Sequence, residues 1–317
     1  MEAIVTTNLA GLKIGHATNE EFHTGCTVLL CPEGTVAGAD VRGPAPGSRE
    51  MALLGLDKPI EHIHAVLLTG GSAFGLAAAD GVMRYLAERG IGHPTPIKPV
   101  PLVPAAVVYD LILGMGQFFP DADMGYAACL AASDEDVPQG NVGAGSGVTV
   151  GKWAGFSGIM KSGFGLAVNQ IGDLVVGTAV VVNAVGDVVN EDGSVLAGAH
   201  DGQGGWLVAQ DPYRRFPQAP PAQLGTNTTL AAVFTNAKLS KVEANRLAQR
   251  AHDGLAIAIR PVHTTHDGDT AFALATGRVA ADFDALANIA VITVEQAIRS
   301  SVRHAQTVGP FLGLGAG

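Results

Sequence analysis

The sequence is poor in cysteine, aromatic side chains and positive charge, and it has no apolar run long enough to cross a bilayer. Its 317 residues include three cysteines, Cys26, Cys31 and Cys129. So sparse and odd a set cannot form a disulfide framework in a chain this long. Cys26 and Cys31 lie in an apolar stretch and are expected to be buried thiols. With 19 Lys and Arg against 29 Asp and Glu, the formal net charge is −10. Such a surface repels phosphate backbones and anionic lipid, and no Lys/Arg cluster offsets it. Nucleic acid and membrane are therefore excluded as expected partners. Apolar segments such as 174–182 are too short to span a bilayer. Met1-Glu2-Ala3-Ile4-Val5 lacks the basic and apolar regions of a secretory signal, so a cytoplasmic location is expected.

What is present is a large, small-residue core. Hydrophobic residues make up 47% and charged residues 15%, which is too apolar for a disordered chain. Gly numbers 42 and aromatics are 5%, so the interior is built of Ala, Val, Leu and Gly and lets backbones approach closely. Residues 25–31 and 63–68 read as apolar strands. The turn Thr69-Gly70-Gly71-Ser72 leads into a predicted helix over 73–89, where Leu76, Ala79, Met83 and Leu86 recur at helical spacing. A short helix is expected over 124–133, and glycine-punctuated β segments over 148–189. Residues 191–226 have no sustained periodicity. So long a Gly/Pro-rich stretch marks a functional segment or a linker. The pattern then resumes with a strand over 228–235 and a capping box, Ser240 to Glu243, that opens a helix to about residue 259. A polar loop over 263–269, a strand over 270–275 and a last helix over 285–304 complete the pass.

Most familiar motifs fail. Gly143-Ala144-Gly145-Ser146-Gly147-Val148 has Val where a dinucleotide fingerprint needs Gly or Ala. Gly151-Lys152 is followed by Trp153, not by the Ser or Thr of a phosphate loop. Gly70-Gly71-Ser72-Ala73-Phe74 ends in Phe where a hydrolase nucleophile elbow needs Gly. His62 and His64, spaced by Ile63, are expected on one polar face of a strand. His263, His266, Asp267 and Asp269 fall within seven residues and suit either a divalent metal, a solvated turn or a catalytic carboxylate pair. Lys152, Lys161 and Asn183 are polar exceptions in an apolar sheet pattern. A buried Asn183 needs partners, although a turn asparagine is the alternative. Lys152 at a hairpin surface and Tyr109 at a strand end are the plain structural readings of those two.

Asn227-Thr228-Thr229 sits where the long loop meets a strand of buried character. Thr228 is by composition a β-forming residue. Cleavage after Asn227 would give it a second property: a hydroxyl and a free α-amine in one residue. An amine with an ordinary pKa near ~7.7–8.0 can act as the base for its own hydroxyl.

Five motifs run in order along the chain: Leu12-Lys13-Ile14-Gly15-His16-Ala17-Thr18, Thr69-Gly70-Gly71-Ser72-Ala73-Phe74-Gly75-Leu76, Gly143-Ala144-Gly145-Ser146-Gly147, Asn227-Thr228-Thr229-Leu230 and His266-Asp267-Gly268-Asp269. Through them the chain resembles, across nearly its whole length, the self-processing peptidases that include L-aminopeptidase/D-amidase-esterases, β-peptidyl aminopeptidases and nylon-oligomer endohydrolases. It implies an α/β fold, an α-β-β-α sandwich, formed as a single domain and cut into chains 1–227 and 228–317. It places the nucleophile at Thr228 and the cleavage site at Asn227–Thr228. By the same resemblance Asn183 is an oxyanion donor, Tyr109 and Lys152 assist, and Asp267 and Asp269 face the nucleophile. Asp267-Gly268-Asp269 departs from the Ser-x-Glu of the aminopeptidases, which argues against strict aminopeptidase specificity. The implied substrate is a small peptide, an amino-acid amide or an ω-amino-acid oligomer, with no cofactor, and the implied assembly is a homotetramer. Two other functions are weighed beside this one: a metal-dependent hydrolase centred on His263, His266, Asp267 and Asp269, and an uncut, non-catalytic assembly protein.

Overall fold

A computed structural model describes residues 9–210 and 226–315. Strands β1 (Lys13–Asn19), β2 (Thr24–Leu30), β3 (Val36–Val41), β4 (Ser48–Arg49) and β5 (Ala65–Thr69) lead to helix α1 (Ala78–Glu88). Strand β6 (Ala105–Val107), helix α2 (Ala122–Leu130) and the short strands β7 (Thr149–Val150) and β8 (Met160–Lys161) follow. Next come β9 (Phe164–Ile171), β10 (Leu174–Asn183), β11 (Asp187–Val189), β12 (Val195–Ala197) and a single helical turn, α3 (Leu207–Gln210). The last part holds β13 (Thr228–Ala237), α4 (Lys241–Ala258), β14 (Ile259–Arg260), β15 (Thr270–Val279) and α5 (Phe283–Arg303).

Two five-stranded sheets, ordered β1-β2-β5-β6-β4 and β3-β15-β13-β10-β9, stack face to face. Alternation along each strand assigns its side chains to two layers. On β13 and β15, Leu230, Ala232, Phe234, Phe272 and Leu274 point into the core between the sheets. Their neighbours Ala231, Val233, Ala271 and Ala273 pack under α4 and α5. The first sheet divides in the same way: Leu29, Val66 and Leu68 face the other sheet, while Val28, Ala65 and Leu67 face α1 and α2. Both faces being covered explains why the central strands read as continuous apolar runs. The result is the expected α-β-β-α sandwich in one domain.

Close helix contact needs the small residues. A Cβ on Gly81 of α1 would lie 1.7 Å from the carbonyl oxygen of Ala122, and one on Gly125 of α2 would lie 1.9 Å from that of Ala78. Each glycine receives the other helix's backbone. Gly81→Val should therefore destabilise the protein by ~1–3 kcal/mol, seen as a lower midpoint in urea with an unchanged slope.

Several local expectations are corrected. The helix over 73–89 begins as a 3-10 turn, Ser72–Ala77, and becomes α-helical at Ala78. Gly71 and Ser72 have φ of 78° and 52°, and Gly75 packs against the Gly70 carbonyl, which tightens the turn. Gly143–Gly145 is likewise a 3-10 turn. His62 and His64 share no strand: His62 makes an isolated bridge to Val36, and β5 starts at Ala65. Cys26 is buried as expected, whereas Cys31 is half-buried. The segment 191–226 is not wholly irregular, since it contains β12 and α3; its residues 211–225 lie outside the described residues. The capping box is present, with Ser240 Oγ accepting from the Glu243 N–H. Among the described residues, no helix is long and apolar enough to cross a membrane.

Candidate active site

Topology gathers the site at one end of the second sheet. Strand β13 runs parallel to β15, so both begin at the same end, and the loop entering β15 lies beside Thr228. Strand β10 is antiparallel to β13, so its last residue, Asn183, pairs in register with Thr228. Tyr109, two residues beyond β6 of the first sheet, reaches the same place. Thus Thr228, Asn183, Asp267 and Asp269, remote in sequence, share one strand end.

Asn227, Thr228 and Thr229 are buried, with at most 5% of their surface exposed. The Thr228 hydroxyl donates to the Asn227 carbonyl oxygen at 2.5 Å. The Gly268 N–H donates to the same oxygen at 2.9 Å. This carbonyl therefore carries both an adjacent hydroxyl and a fixed backbone donor. A Cβ on Gly268 would stand 2.8 Å from Thr228 Oγ1 and 2.6 Å from the Ala45 carbonyl oxygen, so only glycine fits there.

Lys152 is buried in a 3-10 turn after Gly151, not at a hairpin surface. Its Nζ donates to Asn183 Oδ1 at 2.7 Å and to the Asn183 carbonyl oxygen at 3.0 Å. Engaging Oδ1 in this way decides the amide orientation. Asn183 Nδ2 then donates to the carbonyl oxygens of Tyr109 at 3.0 Å and of Thr226 at 3.1 Å. Tyr109 thus enters the site through its main chain. Its hydroxyl takes no part in these hydrogen bonds. Asp267 Oδ2 accepts from the N–H and the hydroxyl of Thr264, each at 2.7 Å. Asp269 Oδ1 accepts from the Thr229 N–H at 2.6 Å, and Oδ2 from the His263 ring at 2.7 Å.

Burial tunes the charged groups. Desolvation pulls Lys152 down to about 7, opposed by the charge of Asp267. Desolvation, reinforced by Asp269, pushes Asp267 up to about 6. A carboxyl raised in the fold binds its proton more tightly there than in the unfolded chain. Its contribution to stability is complete below the ordinary carboxyl pKa and is lost as pH rises through about 6. In uncut Thr228→Ala protein, Asp267→Asn should therefore raise the melting temperature, by a margin that widens as pH rises from acid to neutral. A margin independent of pH would contradict this assignment.

The structure brings Thr228, Asn227, Asn183, Lys152, Asp267 and Asp269 together, along with the backbone of Tyr109. It does not gather a metal-ligand set. Among the described residues, no three His, Cys, Asp or Glu side chains are arranged to hold an ion, and His263 and Asp269 bind each other instead. The solvated-turn reading of 263–269 also fails, because Asp267 and Asp269 are buried. Sequence reasoning missed the backbone groups, namely the Gly268 N–H and the Thr226 carbonyl, and the Thr264 clamp on Asp267. Only the glycine between two aspartates signalled any of them.

The buried cluster at this strand end belongs to a chain whose family and curated relatives are hydrolases acting on amide bonds. Residues 5–313 match peptidase family S58, and the chain belongs to that family. It is 40% identical over 304 residues to an uncharacterized aminopeptidase of Mycobacterium leprae, covering 87% of this chain and 79% of that protein. It is 36% identical over 274 residues to the 6-aminohexanoate-oligomer endohydrolase of Paenarthrobacter ureafaciens, covering 85% and 74%. The fold is shared with the L-aminopeptidase D-Ala-esterase/amidase of Ochrobactrum anthropi, described as a new variant among the Ntn hydrolase fold. The TM-score is 0.71 at 18% identity, over 94% of this chain and 85% of that one.

Proposed function

We propose that the chain cuts itself between Asn227 and Thr228 and that Thr228, as a new N-terminus, is the nucleophile of an amide hydrolase. The observation that carries this reading is the Thr228 hydroxyl lying 2.5 Å from the Asn227 carbonyl oxygen, on which the Gly268 N–H also converges. In self-cleavage Oγ1 bonds to the Asn227 carbonyl carbon, and the C–N bond to Thr228 breaks. The proton from the hydroxyl goes to the departing nitrogen, and water hydrolyses the ester. Chains 1–227 and 228–317 result. In turnover the same hydroxyl takes the acyl group of a substrate amide, the amine leaves, and water releases the acid.

Asn183 is the oxyanion donor in this scheme. Before the cut, its Nδ2 is held by the Thr226 and Tyr109 carbonyls; departure of the 226–227 tail frees one donor for a substrate oxygen. Lys152 holds the amide in the donating orientation, and Tyr109 anchors its other proton. Asp267 and Asp269 orient the Thr228 amine. The substrates are small peptides, amino-acid amides or ω-amino-acid oligomers. The oligomer class is favoured by the likeness to the 6-aminohexanoate-oligomer endohydrolase and by Asp267-Gly268-Asp269. The working form is a cytoplasmic homotetramer of cut protomers.

Intact mass of the purified protein tests this directly. Two fragments are expected, one of them beginning at Thr228. A single 32.3 kDa species that hydrolyses amides would overturn the proposal.

A further inference from the structure

Outside the groups given a role above, the half-buried His263 is, among the described residues, a titratable side chain hydrogen-bonded directly to the site. His263 stands at φ 54°, in the left-handed region that residues with a Cβ occupy at a cost. That conformation turns both its own N–H and its ring onto a single atom. The backbone N–H donates to Asp269 Oδ2 at 3.2 Å, and Nδ1 donates to the same oxygen at 2.7 Å. The other carboxylate oxygen, Oδ1, is left to the Thr229 N–H at 2.6 Å, next to the nucleophile. Behind the His263 ring lies His252, edge to face at 4.8 Å between centroids. His252 Nε2 is itself held by the Asp40 backbone carbonyl at 3.2 Å. The ring is therefore backed on one side and hydrogen-bonded on the other.

We infer that His263 is a positioning residue: it clamps Oδ2 of Asp269 so that Oδ1 stays aimed at the strand carrying Thr228. This rests on the proposed role of Asp269 at the Thr228 amine. A carboxylate with one oxygen fixed at two points cannot rotate away when the amide at residue 228 becomes a free amine. Displacement of a reacting group by about 1 Å can cost 10²-fold in rate. The clamp also requires one tautomer, with the proton on Nδ1. His263 Nε2 is buried and without a partner, so nothing in the site competes for the opposite tautomer.

The test compares His263→Gly, which keeps the backbone donor and relaxes the left-handed turn, with His263→Asn. Asparagine tolerates that turn and restores a donor near the Nδ1 position. The fraction cut after timed cell-free synthesis is measured for both, as are kcat and KM of the cut protein on an amide panel. His263→Gly should slow cutting and lower kcat roughly 10- to 100-fold at unchanged KM, and His263→Asn should recover most of the loss. Equal rates for His263→Gly and wild type, or no recovery with asparagine, would overturn the inference. Should His263→Gly fail to fold, ¹⁵N NMR of the His263 ring in the unaltered chain decides: an Nδ1-protonated ring supports the clamp, and an Nε2-protonated ring refutes it. A Thr228→Ala chain that is cut and active would instead remove the underlying reading, whatever His263 does.

Discussion

Thr228→Ala is expected to remain one uncut chain and to lose amide hydrolysis by roughly 10⁴–10⁶-fold. Alanine removes the hydroxyl that is hydrogen-bonded to the Asn227 carbonyl and leaves the strand's packing almost unchanged, since Thr228 lies at the very start of β13. Thr228→Ser is the control. It keeps the hydroxyl and the amine, so it should still be cut and retain activity. Denaturing electrophoresis reads the first effect and an amide or ester substrate panel the second. If the alanine variant is cut at the wild-type rate, the hydroxyl is not the attacking group.

Gly268→Ala should nearly abolish self-cleavage while leaving the protein folded. Its added methyl would press on Thr228 Oγ1 and on the Ala45 carbonyl at once. The backbone cannot yield without moving the Gly268 N–H off the Asn227 carbonyl oxygen. Loss of one such donor costs about 10²–10³ in rate, and displacement of the hydroxyl adds to it. The time course of fragment appearance measures the effect, with the melting temperature as the check on folding. Cutting at the normal rate would show that this N–H does not act on the scissile carbonyl.

Much of the architecture was legible because it is written locally. The Ser240–Glu243 box marks the start of α4, and the apolar runs of β10, β13 and β15 follow from strands covered on both faces. The turn at Gly70-Gly71-Ser72 was legible as a turn. Its 3-10 continuation was not, because the spacing of Leu76, Ala79, Met83 and Leu86 suits a full helix. The departure comes from Gly75 packing on Gly70, a contact that helical periodicity does not report. Lys152 illustrates the same limit within the site. The plain structural reading put it on a hairpin surface, yet the side chain is buried and bonded to Asn183.

The residue types alone settled that a large small-residue core would form, that polar residues at 152, 161 and 183 stood out from their surroundings, that His263, His266, Asp267 and Asp269 clustered in one polar loop, and that Asn227-Thr228 lay where a loop becomes a buried strand. Those are properties of composition and short-range order. The tertiary structure decided which of these groups meet. Parallel pairing of β13 with β15 and antiparallel pairing with β10 bring residues about forty positions apart to one strand end. The donors that hold the Asn227 carbonyl and fix the Asn183 amide include backbone atoms, which are chemically the same at every position. Only the folded register gives one of them a place and a direction.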